Sequence, residues 1–280
     1  MQPSQPRKES VVPRQVEAGS GDSSSGVNPA ELRITSYLWQ LPVRITHWVT
    51  VISIAILTVT GIYIENPFIV TNGLATNQYL MGSMRFVHFV TAFVFTASVL
   101  FRIYWAFVGN RYARWNQFLP VSRARLRDAG HMLAYYLFLR PHPPTTVGHN
   151  ALAGATYFVV YLLLLLQIVT GFALYALPFD AGTFWPIAFG WVTTTFGVQP
   201  VRLVHTILMW LFLAFTIHHV YSAILIDIEK RAGLMSSIFT GFQSLAPAQL
   251  AEVETEQSPA PKSRRPFWTR LSRKAGQDHA

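Results

Sequence analysis

Three arginine–histidine pairs of identical spacing stand at the ends of apolar segments: Arg44-Ile-Thr-His47, Arg85-Phe-Val-His88 and Arg202-Leu-Val-His205. A fourth histidine in an apolar run, His219, follows fourteen residues after His205. Imidazole inside a lipid-embedded helix is costly and is kept for a purpose. Residues at i and i+3 share a helix face, so each pair offers an imidazole pointing into a bundle and a cation one turn nearer the membrane surface. That set suits haem, whose iron takes axial imidazoles and whose two propionates take cations.

The elements that must position these groups are membrane helices. Of 280 residues, 51% are hydrophobic and only 12% charged, against about 25% charged in ordinary soluble domains. The apolar residues gather in four runs, about 45–64, 86–108, 151–178 and 203–226. Each meets the ~20 residues that a spanning helix needs. The fold class expected is therefore an all-α integral membrane four-helix bundle, over 37–243, with disordered polar tails at 1–36 and 244–280. The C-terminal tail carries a basic cluster (Lys262, Arg264, Arg265, Arg270, Arg273, Lys274) suited to anionic lipid heads or to a solvated surface.

Four spans put both termini on one side. The segment 109–150 holds Arg111, Arg114, Arg123, Arg125, Arg127 and Arg140, and Lys230 and Arg231 follow the last run. The other two connections, 65–85 and 179–202, each hold one basic residue, Arg85 and Arg202. By positive-inside bias both termini and the 109–150 loop lie in the cytoplasm. The same bias accounts for the net charge of +9, which needs no nucleic acid. Cysteine is absent, which excludes disulfides, Cys-ligated iron–sulfur clusters and covalent c-type haem. Within the loop, Ser122–Arg140 reads as an amphipathic helix along the interface. The outer connection is rich in aromatics, including Phe184, Trp185 and Trp191, fit for a membrane belt or a partner.

Topology fixes depth. His47 opens the first helix near the cytoplasm, whereas His88 and His205 open helices that enter from outside. A helix turns about 100° per residue, so His219 returns to within about 40° of the face of His205, about 21 Å further along the axis. His218 falls on nearly the opposite face. Two pairs follow: His88 with His205 as an outer site, His47 with His219 as an inner one. Fourteen residues beyond His47 stands Gly61, which would let a flat macrocycle approach the backbone. Fourteen beyond His88 stands Arg102, at inner depth, as a cation for the inner site or a group snorkelling to the interface. Thr170–Gly171 matches Thr60–Gly61 on a helix that reads as a wall.

Other chemistry fits less well. A single histidine near a helix end is more often interfacial than ligating; four that pair by depth across three helices argue for ligation. Gly61 and Gly171 also suit plain helix packing. Clustered histidine boxes of a membrane di-iron oxygenase are represented only by His218–His219, and the H-E-x-x-H of a zinc protease is absent. A transporter or scaffold predicts ionisable groups at the mid-plane, and none of the four runs carries an acidic residue at its centre.

The stretch from Arg44-Ile-Thr-His47-Trp48 through Leu57-Thr58-Val59-Thr60-Gly61 resembles the first signature of a known family, the b-type cytochrome subunits of membrane-bound nickel–iron hydrogenases. His205, Trp210, Phe215 and His219 resemble the second. Leu203 and Thr206 depart from it, where a small and a basic residue are usual. The resemblance spans about 37–243. It implies a bundle in the bacterial inner membrane holding two haem b groups, with His47, His88, His205 and His219 as axial ligands; spacing and depth add Arg44, Arg85, Arg102 and Arg202 as the cations near the propionates. It implies small iron–sulfur and large nickel–iron hydrogenase subunits as partners on the outer face, and a membrane quinone as electron acceptor. This chain would carry electrons and none of the hydrogenase chemistry. The cytochrome of a formate dehydrogenase is the alternative. A quinone site on the cytoplasmic side near His47, Arg102 and His149 is expected.

Overall fold

The computed structural model describes residues 34–69, 79–110, 112–115, 118, 123–142, 151–230 and 232–245. The chain runs β1 (Ile34–Tyr37), α1 (Leu41–Glu65), α2 (Leu80–Val108), α3 (Arg123–Tyr136), α4 (Ala151–Tyr175), α5 (Phe184–Phe196), α6 (Val198–Lys230), α7 (Leu234–Thr240) and β2 (Phe242–Leu245). Four of these helices, α1, α2, α4 and α6, are long and apolar enough to cross a membrane. They are the four expected spans, with shifted ends. α2 starts six residues before 86, through a Met-Gly-Ser turn that hydropathy alone does not extend across. α6 starts five residues before 203, directly after Gly197, whose φ of 83° breaks the chain between α5 and α6.

Much of the apolar surface of the spans faces outward. Val59 and Phe86 are 63% and 68% exposed, and Ile52, Leu162 and Leu211 also point away from the bundle. Lipid, not protein, is the solvent these faces require. Inside, Phe95 and Val99 of α2, Leu164 of α4, and Leu208 and Phe212 of α6 form one buried cluster, with Ile54 and Leu57 of α1 against it. These residues fall along α2 and α6 between the level of His88 and His205, termed outer, and that of His47 and His219, termed inner, so an apolar layer separates the two.

The two ends are closed differently. At the outer end α5 lies over the bundle: Trp185 stacks on Phe172 at 5.2 Å and meets Phe93 at 5.6 Å. Phe184, Ile187, Trp191 and Phe196 of α5 remain exposed. The aromatic-rich connection is thus part packing element and part open surface. At the other end β1 and β2 pair antiparallel, Ile34 opposite Leu245 and Tyr37 opposite Phe242. This ribbon joins the entry and exit of the chain at one end of the bundle, as an even number of spans requires, and carries the described fold to 34 and 245, just outside 37–243. It is the one sheet among the described residues. Trp39 Nε1 donates to Ser237 Oγ at 3.1 Å, and Leu38, Trp39, Val43, Tyr112, Ala113 and Leu245 bury one another beneath the ribbon. In the loop at this end, α3 forms where an amphipathic helix was expected.

Candidate functional site

The outer histidines are each seated by a threonine–glycine step on a neighbouring helix. Thr60 Oγ1 of α1 lies 2.8 Å from His88 Nδ1 of α2. The Thr60 hydroxyl also donates to the Ile56 carbonyl at 2.7 Å. Its single proton being committed there, Oγ1 accepts from His88 Nδ1–H, which leaves Nε2 with the free lone pair. The arrangement repeats across α4 and α6. Thr170 donates to Leu166 O at 2.9 Å and lies 3.0 Å from His205 Nδ1, so His205 carries the same tautomer. Both threonines are buried, at 4% and 3% exposure, where an unsatisfied hydroxyl would be costly. The glycines make room for the rings. A Cβ on Gly61 would stand 3.5 Å from His88 Cε1, and one on Gly171 only 3.1 Å from His205 Cε1. Gly61 therefore faces an imidazole directly. Met209, one turn beyond His205, has its sulfur 3.8 Å from the same point. Gln167 adds an asymmetry: its amide nitrogen lies 3.2 Å from His205 Nε2, while its Oε1 is buried without a partner.

The inner histidines are held by rings instead. His47 and His219 face each other across α1 and α6 with centroids 6.4 Å apart and planes at 53°. Phe215 stacks on His219 at 5.6 Å and Tyr157 of α4 meets it edge-on at 5.7 Å. Tyr157 Oη reaches His219 Nδ1 only at 3.4 Å. His47 Nδ1 is buried with no hydrogen-bond partner. Two half-buried imidazoles facing one another, with no acid or base between them among the described residues, fit a site completed by a group the protein does not itself supply. His218 is exposed and its Nε2 lies 3.4 Å from Ser222 Oγ, away from His47. Among the described residues no three His, Cys, Asp or Glu side chains gather into a metal site. The histidines come in twos, the number that flanks a macrocycle, with neutral nitrogen donors that suit iron. The residues present fit haem.

The arginines divide by surroundings. Arg85 and Arg202 are exposed in the early turns of α2 and α6, at the outer end. Arg44 is half-buried; its guanidinium donates to the Phe239 carbonyl at the end of α7, and its Nε has no partner. Arg102 is 7% exposed, lies 3.4 and 3.5 Å from the Ala113 carbonyl and sits over the Phe118 ring at 5.3 Å. Its contacts thus run to the loop rather than to His47 or His219. His149 lies outside the described residues.

Thr60, Thr170, Gly171, Gln167 and Tyr157 form part of the site but do not stand out among the sequence candidates. The matching Thr–Gly dipeptides point to the two threonines and Gly171; nothing in the sequence singles out Gln167 or Tyr157. Beside His219 opens a cleft of about 960 Å³ between the end of α3, the start of α4 and the second half of α6. Its polar lining includes Tyr136, Arg140, Tyr157, His218 and Ser222, and its remaining wall is largely apolar. Burial pushes the Tyr136 hydroxyl above its ordinary pKa, against a smaller opposite pull from its hydrogen bond with Ser222. At neutral pH it is therefore a proton-bearing donor.

Residues 38–241 match the family model of prokaryotic cytochrome b561. A relative from Cupriavidus necator, called "Probable Ni/Fe-hydrogenase B-type cytochrome subunit", is 39% identical over 212 residues, covering 75% of this chain and 87% of the relative. One of the same name from Azotobacter vinelandii is 37% identical over 225 residues, covering 79% of this chain and 94% of its own. The "Probable Ni/Fe-hydrogenase 1 B-type cytochrome subunit" of Escherichia coli K12 is 38% identical over 217 residues, covering 75% and 92%. With four apolar helices around paired histidines, and matches that run nearly the length of these relatives, the chain belongs to the prokaryotic cytochrome b561 family, as a b-type cytochrome of the membrane.

Proposed function

We propose that this chain is the membrane anchor and electron carrier of a nickel–iron hydrogenase, passing electrons from its iron–sulfur and nickel–iron subunits to the quinone pool. The observation that carries this reading is the pairing of four histidines at two depths, with an apolar layer between them. His88 with His205, and His47 with His219, would be the axial ligands of two haem b groups. Haem b, when bound, supplies a one-electron carrier; the protein's part is to hold, orient and insulate it. Thr60 and Thr170 orient two ligands. Gly61 and Gly171 admit their rings. The cluster around Phe95, Val99 and Phe212 excludes water between the levels. Gln167 would turn away from His205 Nε2 to free the ligating nitrogen. Two imidazoles for each haem would leave the iron no open position for oxygen chemistry.

The names of the relatives support a hydrogenase as partner rather than a formate dehydrogenase. The arginine-rich 109–150 segment supports a cytoplasmic placement of both termini in a bacterial inner membrane, with the partner outside, against the exposed face of α5. The cleft beside His219, with Tyr136 as donor, supports quinone docking at the cytoplasmic end, on the side of α3 and α6. The test is hydrogen-driven quinone reduction in membranes lacking this chain and restored with it, together with pull-down through the chain. Restoration by the native chain and failure by His205→Ala are expected, with hydrogenase subunits recovered. Recovery of a formate-oxidising enzyme instead would move the chain to the other partner.

A further inference from the structure

Resting on the reading that each histidine pair ligates a haem, we propose that Thr60 and Thr170 set the outer site at a lower reduction potential than the inner one. The argument starts from the direction of the hydrogen bonds. Each threonine spends its proton on a carbonyl one turn back, Ile56 at 2.7 Å and Leu166 at 2.9 Å. A hydroxyl oxygen whose proton is so engaged is a better acceptor, because consecutive hydrogen bonds polarise one another. It draws on His88 Nδ1–H at 2.8 Å and on His205 Nδ1–H at 3.0 Å. An imidazole that gives up part of its N–H proton donates more strongly through its other nitrogen. Stronger donation from both axial sides favours the oxidised iron and lowers the potential.

The inner pair lacks this device. His47 Nδ1 has no acceptor, and His219 Nδ1 has only the Tyr157 hydroxyl at 3.4 Å, beyond a good hydrogen bond. Both outer ligands are therefore strengthened and neither inner one is. The resulting slope runs downhill from the outer face to the inner, the direction that delivers electrons to a cytoplasmic quinone. The threonines gain and lose no proton in this. The hydrogenase supplies the electron and the quinone takes it.

The experiment is a spectroscopic redox titration of the b bands in the intact complex. The native complex should resolve two components. Thr60→Val and Thr170→Val, which keep the shape and remove the acceptor, should each shift the lower component upward, with the double variant shifting it further and the higher component unmoved. Thr→Ser at either position should restore the native value. Thr→Cys, with a weaker acceptor, should give a smaller upward shift and serves if a valine variant fails to retain haem. A lower component that stays in place in the valine or cysteine variants, or a shift confined to the higher one, would overturn the proposal. A native chain without b bands would instead remove the dihaem reading on which it rests.

Discussion

The outer and inner histidine pairs stand in one bundle at similar burial, yet they are held by different physics. The outer rings are fixed by hydrogen bonds from their Nδ1 to threonines and by close contact with a glycine backbone. The inner rings are fixed by Phe215, Tyr157 and Trp48, which constrain the plane of an imidazole but leave its Nδ1 free or loosely met. Hydrogen bonds settle tautomer and donor strength; aromatic packing settles position alone. Under the proposed dihaem reading, the same ligand type would serve two levels with different electronic settings, at the cost of a few buried hydroxyls.

The largest expected effects come from removing one ligand of a pair. His88→Ala or His205→Ala should abolish the outer site and leave the inner one spectroscopically intact, and His47→Ala or His219→Ala the reverse. His218→Ala should retain both, since His218 faces Ser222 and not His47. Loss of haem in His218→Ala, measured by pyridine haemochrome, would reverse that assignment.

Steric changes at the glycines come next. A methyl at Gly171 meets His205 at 3.1 Å, tighter than ordinary contact, whereas at Gly61 it meets His88 at 3.5 Å. Gly171→Ala should therefore cost about 1–3 kcal/mol through overpacking and loosen the outer site in a thermal haem-release assay. Gly61→Ala meets only ordinary van der Waals contact and should cost less than Gly171→Ala. Equal release temperatures for the two variants would remove the distinction between the two notches.

The smallest effects belong to the closure of the inner end. Trp39→Phe removes the bond to Ser237, worth about 0.5–1.5 kcal/mol. Arg44→Ala removes a solvent-exposed bond to the Phe239 carbonyl, worth about 0.5–1.5 kcal/mol, and frees α7. Both should increase proteolytic cutting near 234–245 and perturb the inner b component more than the outer. An effect equal at both levels would mean that the ribbon stabilises the bundle as a whole.

Much of this was legible in the chain. Hydropathy locates four spans, since 25- to 33-residue apolar helices leave little ambiguity of type. Helical period chooses His219 over His218, and the structure turns His219 toward His47. Other features depend on contacts between segments far apart in sequence. Ile34–Tyr37 and Phe242–Leu245 are four residues each, too short to register as strands until they meet. The Thr–Gly dipeptides are visible, but that their hydroxyls reach histidines 28 and 35 residues away follows only from helix packing. Depth arithmetic places Arg102 at the inner end without saying where its guanidinium turns, and the Ala113 carbonyl in the loop takes it.

The most direct measurement is haem b stoichiometry in the purified chain, taken for the native protein and for single alanine variants at His47, His88, His205 and His219. The dihaem reading expects two haems per native chain, and one in every single variant. The surviving band should be the same for His88 and His205, and the other one for His47 and His219. One haem per native chain, or surviving bands that pair the histidines otherwise, would contradict it.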